Sequence, residues 1–243
     1  MNQGKRPDGG PILAIVLGLV ALCAFYFFLR SSLFFIDRIT VTGNVVVDKK
    51  EILALSGIQI GQNIFDIDPA ASEKAIGIVP RIKRVEVSRK IPRQVLIRVA
   101  ERKPWAMVVN KKGYIVIDGE GVCLGSKTTI VDDPGVPIIT LEDQPGVLRE
   151  GERLSASIKN VRKVVDALPE ELRPIVSEYH CTKNGQVFLY TIEGTEVRLG
   201  GLDRLAEKMQ LLDQVVDMNK DESNTGLQYI DLRYKGQPVI CYR

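Results

Sequence analysis

Residues 38–64 read RITVTGNVVVDKKEILALSGIQIGQNI, and the order of signals inside this stretch decides how the chain folds. Ile36 and Arg38 to Thr42 form a β-branched run that stops at Gly43-Asn44, a pair tolerant of positive φ, so the run reads as a strand with a sharp end. Asp48 stands where a helix N-cap belongs, with Glu51 three residues on to complete a capping box. Ile52, Leu53 and Leu55 supply the apolar content of that helix, and Ser56-Gly57 ends it. Gly61-Gln62-Asn63 reads as the next turn.

Toward the C-terminus, Asp68 and Pro69 open a second short helix through Ala75, which Gly77 and Pro80 terminate. Ile82, Val85 and Val87 give one strand, while Val95, Ile97 and Val99 alternate with polar residues in another, joined across Lys90-Ile91-Pro92. The predicted order is β-α-α-β-β. In that order and spacing, Val41-Thr42-Gly43-Asn44, Gly61-Gln62-Asn63-Ile64-Phe65, Val85-x-Val87 with Pro92, and Glu101-Arg102-Lys103-Pro104-x-Ala106 resemble the polypeptide-transport-associated (POTRA) domain in its FtsQ/DivIB version.

Toward the N-terminus, Gly9 to Leu29 is a run of 21 residues without a charge. As a helix rising about 1.5 Å per residue it spans roughly 30 Å, the thickness of a bilayer core. A cleaved signal peptide would have a shorter apolar core and an A-x-A-like site, whereas here the run goes straight to Arg30. Val20-Ala21-Leu22-Cys23 approaches a lipoprotein cleavage box, but Leu22 is too large before the cysteine. A membrane helix over 11–30 is expected, with Lys5 and Arg6 in a tail, 1–10, on the cytoplasmic side.

Beyond the POTRA-like stretch, Trp105 to Val109, Tyr114 to Ile117 and Val122 to Leu124 are short apolar strands separated by turn formers, a β-meander that Pro134 to Thr140 extends. Ile158, Val161, Val165 and Leu168 recur at helical spacing, as do Leu202, Leu205, Met209, Leu212 and Val216. Between them Gln186 to Ile192 and Thr195 to Leu199 form a hairpin across Glu193-Gly194. Both helical stripes, Met209 included, read as faces that pack on the sheet. The fold class is α+β: a transmembrane helix, a POTRA domain over 33–102, and a mainly antiparallel β domain with two amphipathic helices over 103–243.

Charge argues against nucleic acid as a partner. Setting aside Lys5, Arg6, Arg30 and Asp8 leaves 30 basic against 29 acidic residues, without the unneutralised cationic footprint that phosphate backbones require. Enzyme chemistry is equally hard to find. His180 sits beside Cys181 on a strand with no third group in view. Asp118 and Glu120 flank a turn, where carboxylates serve local hydrogen bonding. Neither a phosphate-binding loop nor a nucleophile elbow is present. Cys23, Cys123, Cys181 and Cys241 have no C-x-x-C spacing and read as free thiols, with one disulfide as the alternative. No cofactor or metal is expected.

The last segment, Tyr229-Ile230-Asp231-Leu232-Arg233-Tyr234, then Lys235-Gly236 and a strand from Gln237 to Tyr242, also resembles the end of FtsQ/DivIB chains. That resemblance implies a non-enzymatic division scaffold in the bacterial inner membrane, at the septum. Its terminal strand would receive a segment of an FtsB-like bitopic protein, which with an FtsL-like partner regulates septal peptidoglycan synthases. It further implies Tyr234 as an anchor, the edge Gln237, Val239, Ile240 and Tyr242 as recipient, and Arg233 and Lys183 as partners for acidic residues. A plainer reading has Tyr234 and Tyr242 as half-buried sheet residues and Pro238 as a block to edge pairing. Two other functions are weighed: a POTRA-bearing translocation helper, for which repeated POTRA copies or a barrel are missing, and a membrane-tethered cell-wall enzyme, for which a catalytic cluster is missing.

Overall fold

The computed structural model describes residues 10–129, 136–154, 157–220 and 226–243. The chain divides into two compact units, Met1–Glu101 and Arg102–Arg243. The first begins with the helix α1, Gly10–Leu29, apolar on every face. Its side chains are described from Leu13 onward, roughly 25 Å of helix. Among the described residues no helix is long and apolar enough to cross a membrane. Lys5 and Arg6 of the expected tail lie outside the described residues.

After a short 3₁₀ turn at Ser32–Phe34 come β1 (Arg38–Thr42), α2 (Lys49–Ser56), α3 (Pro69–Ile76), β2 (Ile82–Lys90) and β3 (Gln94–Glu101). This is the predicted β-α-α-β-β order. The sheet order is β1-β3-β2, with β1 parallel to β3 and β2 antiparallel to it. Asp48 caps α2 by accepting from the Lys50 amide, and Asp68 caps α3 by accepting from the Ala71 amide. The reciprocal bond expected from Glu51 does not form, so half of the capping box is present. Ile52, Ile64, Ile76 and Ile97 are completely buried between helices and sheet. Gly43 turns at φ 86°, and a Cβ there would stand 2.0 Å from the Val99 carbonyl oxygen, so the strand can end this way only at glycine.

Among the described residues, the strands of the second unit form one nine-stranded sheet. Its strands are β4 (Pro104–Asn110), β5 (Gly113–Asp118), β6 (Cys123–Lys127), β7 (Ile138–Leu141), β8 (Val176–Cys181), β9 (Val187–Thr191), β10 (Glu196–Gly200), β11 (Leu227–Asp231) and β12 (Val239–Tyr242), in the order β12-β11-β10-β9-β8-β7-β4-β5-β6. Five of its pairings are antiparallel, while β4·β7, β7·β8 and β10·β11 are parallel. The meander is therefore extended on its β4 side by a parallel strand, and Pro134 of the expected strand lies outside the described residues.

Two helices, α4 (Ser157–Ala167) and α5 (Leu205–Lys220), cover one face of this sheet. Ile158, Val161, Val165 and Leu168 pack with Met209 and Leu212 against Val108, Ile139, Tyr179, Leu189, Val197 and Ile230. Both stripes thus belong to the core.

Candidate partner-binding edge

Among the described residues β12 pairs with β11 alone, which leaves its other side as an edge of the sheet. Arg243 donates its amide to the Gly226 carbonyl at 2.7 Å, which makes Leu227↔Tyr242 a pair whose own backbone groups point away from each other. By strand alternation the amides and carbonyls of Tyr242 and Ile240 face outward, where another extended chain can pair with them. Side chains alternate across the sheet: Ile240 packs on the core and Tyr242 reaches Asn219 of α5 with its hydroxyl at 3.2 Å. Val239 projects on the opposite face, 52% exposed.

The loop from β11 to β12 is held by Asp231. Its nearly buried carboxylate accepts from the Arg233 amide at 3.1 Å, from Nε at 3.0 Å and from the terminal guanidinium nitrogen at 2.6 Å. The Arg233 hydrogen bonds hold the Asp231 carboxyl below its ordinary range, outweighing the upward push of burial. The Arg233 stem crosses Gly200, where a Cβ would come within 2.9 Å of it. Its carbonyl accepts from Arg204 at 3.4 Å. Beneath this corner Lys208, 1% exposed, donates to the carbonyls of Leu199 and Gly201 at 2.9 and 2.8 Å and to Asp203 at 3.3 Å. A buried ammonium with all three donors used fixes the end of β10 to the start of α5.

The predicted site residues fall into two groups. Arg233, Tyr234, Gln237, Val239, Ile240 and Tyr242 lie on the terminal strand or its entering loop. Tyr234 is 66% exposed in the loop, while Tyr242, on β12, is 48% exposed, the half-buried sheet residue of the plainer reading. Gln237 sits in the loop, because β11 ends at Asp231, which pairs with Val239, and leaves Gln237 nothing to pair with. The Arg233 charge is already met by Asp231, so the residue positions the loop, with its guanidinium 5.7 Å from the Tyr234 ring. Lys183 follows β8 at the same end of the sheet, about three strand spacings of ~4.8 Å away from β11, and pairs with Asp143 at 2.7 Å.

The sequence reading did not pick out Asp231 as an organiser, nor Tyr229 and Arg198 beside it. Arg198 lies 4.0 Å over the Tyr229 ring and pairs with Glu196 at 3.0 Å. The alternation in Glu196-Val197-Arg198 and Tyr229-Ile230-Asp231 was the available signal, since it puts both segments' polar residues on one sheet face.

The groups considered for catalysis are accounted for by structure. His180 and Cys181 point to opposite faces of β8: Cys181 is in the core, where burial pushes its thiol pKa up, and His180 Nδ1 lies 2.9 Å from Thr140 Oγ1, whose hydroxyl also bonds Glu178. Asp118 accepts the Glu120 and Val122 amides at 2.8 and 2.9 Å and the Arg102 guanidinium at 2.6 Å, an arrangement that shapes the turn. All four cysteines are free thiols.

Comparison with known proteins places this architecture. Residues 34–102 match the model of the FtsQ-type POTRA domain, and residues 106–233 match the model of the C-terminal region of cell division protein FtsQ/DivIB. The second match stops just before β12. Similar curated proteins include cell division protein FtsQ of Geotalea daltonii, 27% identical over 99% of this chain and 87% of its own. FtsQ of Syntrophotalea carbinolica is 30% identical over 95% of this chain and 83% of its own, and DivIB of Clostridium botulinum 26% over 91% and 85%. With both units matched in order and relatives aligned over nearly its whole length, the chain belongs to the FtsQ/DivIB family of cell division proteins.

Proposed function

We propose that this chain is a non-catalytic scaffold of the division machinery, held in the bacterial inner membrane at the septum by α1, with residues 1–10 in the cytoplasm and the rest outside. Within it, 11–30 act as the membrane helix, 33–102 as the POTRA domain and 103–243 as the partner-binding β domain. Its β12 edge receives an extended segment of an FtsB-like bitopic protein, with an FtsL-like protein bound alongside, and so ties both to septal peptidoglycan synthesis. Tyr234 and Tyr242 cover the incoming strand, and Lys183 meets acidic residues at the far end of the same sheet border.

The single observation that carries the reading is the free β12 edge, whose Ile240 and Tyr242 backbone groups are turned outward between exposed Val239 and Tyr242 side chains. Strand addition draws affinity from main-chain hydrogen bonds and specificity from alternate side chains. The test uses the full chain in nanodiscs and measures binding of the matching FtsB- and FtsL-like pair. Ile240→Pro removes an outward amide without touching the ladder to β11, so it weakens binding at least about tenfold, or about 1.4 kcal/mol, as does Tyr234→Ala. Unchanged binding by Ile240→Pro refutes strand addition, and no binding by the folded wild type returns the translocation-helper reading.

A further inference from the structure

α1 runs into the first unit without a free linker. Its last carbonyl, that of Leu29, accepts from the nearly buried Asn63 side-chain amide at 2.8 Å. Phe28 meets Phe34 edge-on at 5.3 Å, Phe34 lies 5.1 Å from Phe65, and Arg30 pairs with Asp66 at 2.5 Å. These contacts define which end of the unit is nearest the helix. The β2–β3 turn belongs to that end, because Asp37 donates its amide to the Arg93 carbonyl at 3.0 Å and Arg93 Nε donates to the Phe35 carbonyl at 3.2 Å.

The surface of this end is mixed in a particular way. Leu33 and Phe35 are exposed, and Ile91, at the tip of the turn, is 62% exposed. Arg38 and Lys90 flank Gln94 in the first row of the sheet, both exposed, and among the described residues neither meets a carboxylate. Between Arg30 and Glu101 the chain carries 12 basic against 8 acidic residues, whereas from Arg102 onward it carries 19 against 21. Apolar and aromatic side chains interleaved with unpaired long cations, at the end of a wholly apolar helix, match the chemistry of a lipid headgroup layer. Lys and Arg stems can lie along the apolar region while their charges reach phosphate.

We propose that this end of the first unit is a bilayer-contact surface, in which Leu33, Phe35 and Ile91 enter the headgroup region while Arg38 and Lys90 engage the phosphates of anionic phospholipid. The proposal rests on the reading of α1 as a membrane anchor. It gives the first unit a fixed posture on the membrane, set by the Asn63 and Arg30 contacts.

The full chain, carrying Trp105→Phe to remove its single tryptophan, is reconstituted in vesicles of phosphatidylcholine and phosphatidylglycerol with brominated acyl chains. Tryptophan is introduced singly by Leu22→Trp in α1, by Ile91→Trp in the turn, and by Val45→Trp, 87% exposed beyond the far end of β1. Quenching of Leu22→Trp verifies the anchor independently. Ile91→Trp is expected to be quenched at least about threefold more than Val45→Trp, and Arg38→Glu with Lys90→Glu, or omission of phosphatidylglycerol, should at least halve the effect. Overturning results are Ile91→Trp quenching no greater than Val45→Trp while Leu22→Trp is quenched, or Ile91→Trp quenching indifferent to lipid charge. An unquenched Leu22→Trp overturns the anchor and this surface together.

Discussion

Glu101 closes β3 with its carboxylate facing three consecutive amides, accepting from Val45 at 2.7 Å, Val46 at 2.9 Å and Val47 at 2.9 Å. It thereby fixes the loop that Gly43 begins, and the spacing from Gly43-Asn44 to Glu101 in the POTRA-like pattern gains a physical reason. Partial burial pushes the Glu101 carboxyl up, but the three amides and the nearby Arg81 charge outweigh this and hold it below its ordinary range. A carboxyl whose folded pKa is depressed stabilises fully above its unfolded value, about 4.3, and loses that contribution as pH falls through the folded value. Glu101→Gln should therefore cost about 1–3 kcal/mol at pH 7 by the worth of charge-assisted hydrogen bonds. It should also flatten the loss of stability between about pH 5 and the folded pKa. Urea denaturation of wild type and variant across that range checks it: parallel acid limbs would assign the acid sensitivity to other carboxylates.

At the scale of elements, what could be read from the sequence was what local chemistry writes. Asp48, Gly57, Asp68 and the Gly43 and Gly61 turns lie within a few residues of the boundaries they set, so the first unit's element order was legible. The nine-strand order was not, because β7 joins β4 and β8 in parallel across long connections, and parallel partners leave no turn signal between them. Tyr234 and Tyr242 were legible as candidates only through the resemblance of the last segment to FtsQ/DivIB chains, and a residue whose place a distant carbonyl decides was not legible at all. Lys208 shows this most clearly: helical periodicity gives a lysine beside Met209 no reason to be inside, yet the carbonyls of Leu199 and Gly201 draw it there. Lys208→Met keeps the stem but leaves both carbonyls without this donor, at about 1–3 kcal/mol for each buried group so orphaned. We expect a loss of about 2–4 kcal/mol in urea denaturation, with faster amide exchange from Asp231 to Val239 because the corner under Arg233 loosens. A loss under about 0.5 kcal/mol would mean that water replaces the ammonium at both carbonyls.

For the molecule as a whole, the proposed edge is short for the work assigned to it. β12 has four residues, and its outward Ile240 and Tyr242 offer at most four main-chain hydrogen bonds, worth together about 2–6 kcal/mol. Association costs about 4 kcal/mol or more in lost translation and rotation. Under the proposed function, contacts by Tyr234 and Tyr242 would narrow that gap, and anchoring both proteins in one bilayer would narrow it further by confining the partner to a thin layer at high effective concentration. Affinity should therefore depend on shared anchoring more than on any one side chain. With the full chain in vesicles, an FtsB-like partner inserted in the same bilayer should half-saturate the edge at an equivalent bulk concentration at least about 100-fold below that of its soluble segment added from outside, the lower bound for linked sites. Fluorescence transfer between labels on the partner and on this chain reads both arms. Equal occupancy in the two arms would mean that the edge and its tyrosines supply the whole affinity, and that α1 serves location alone.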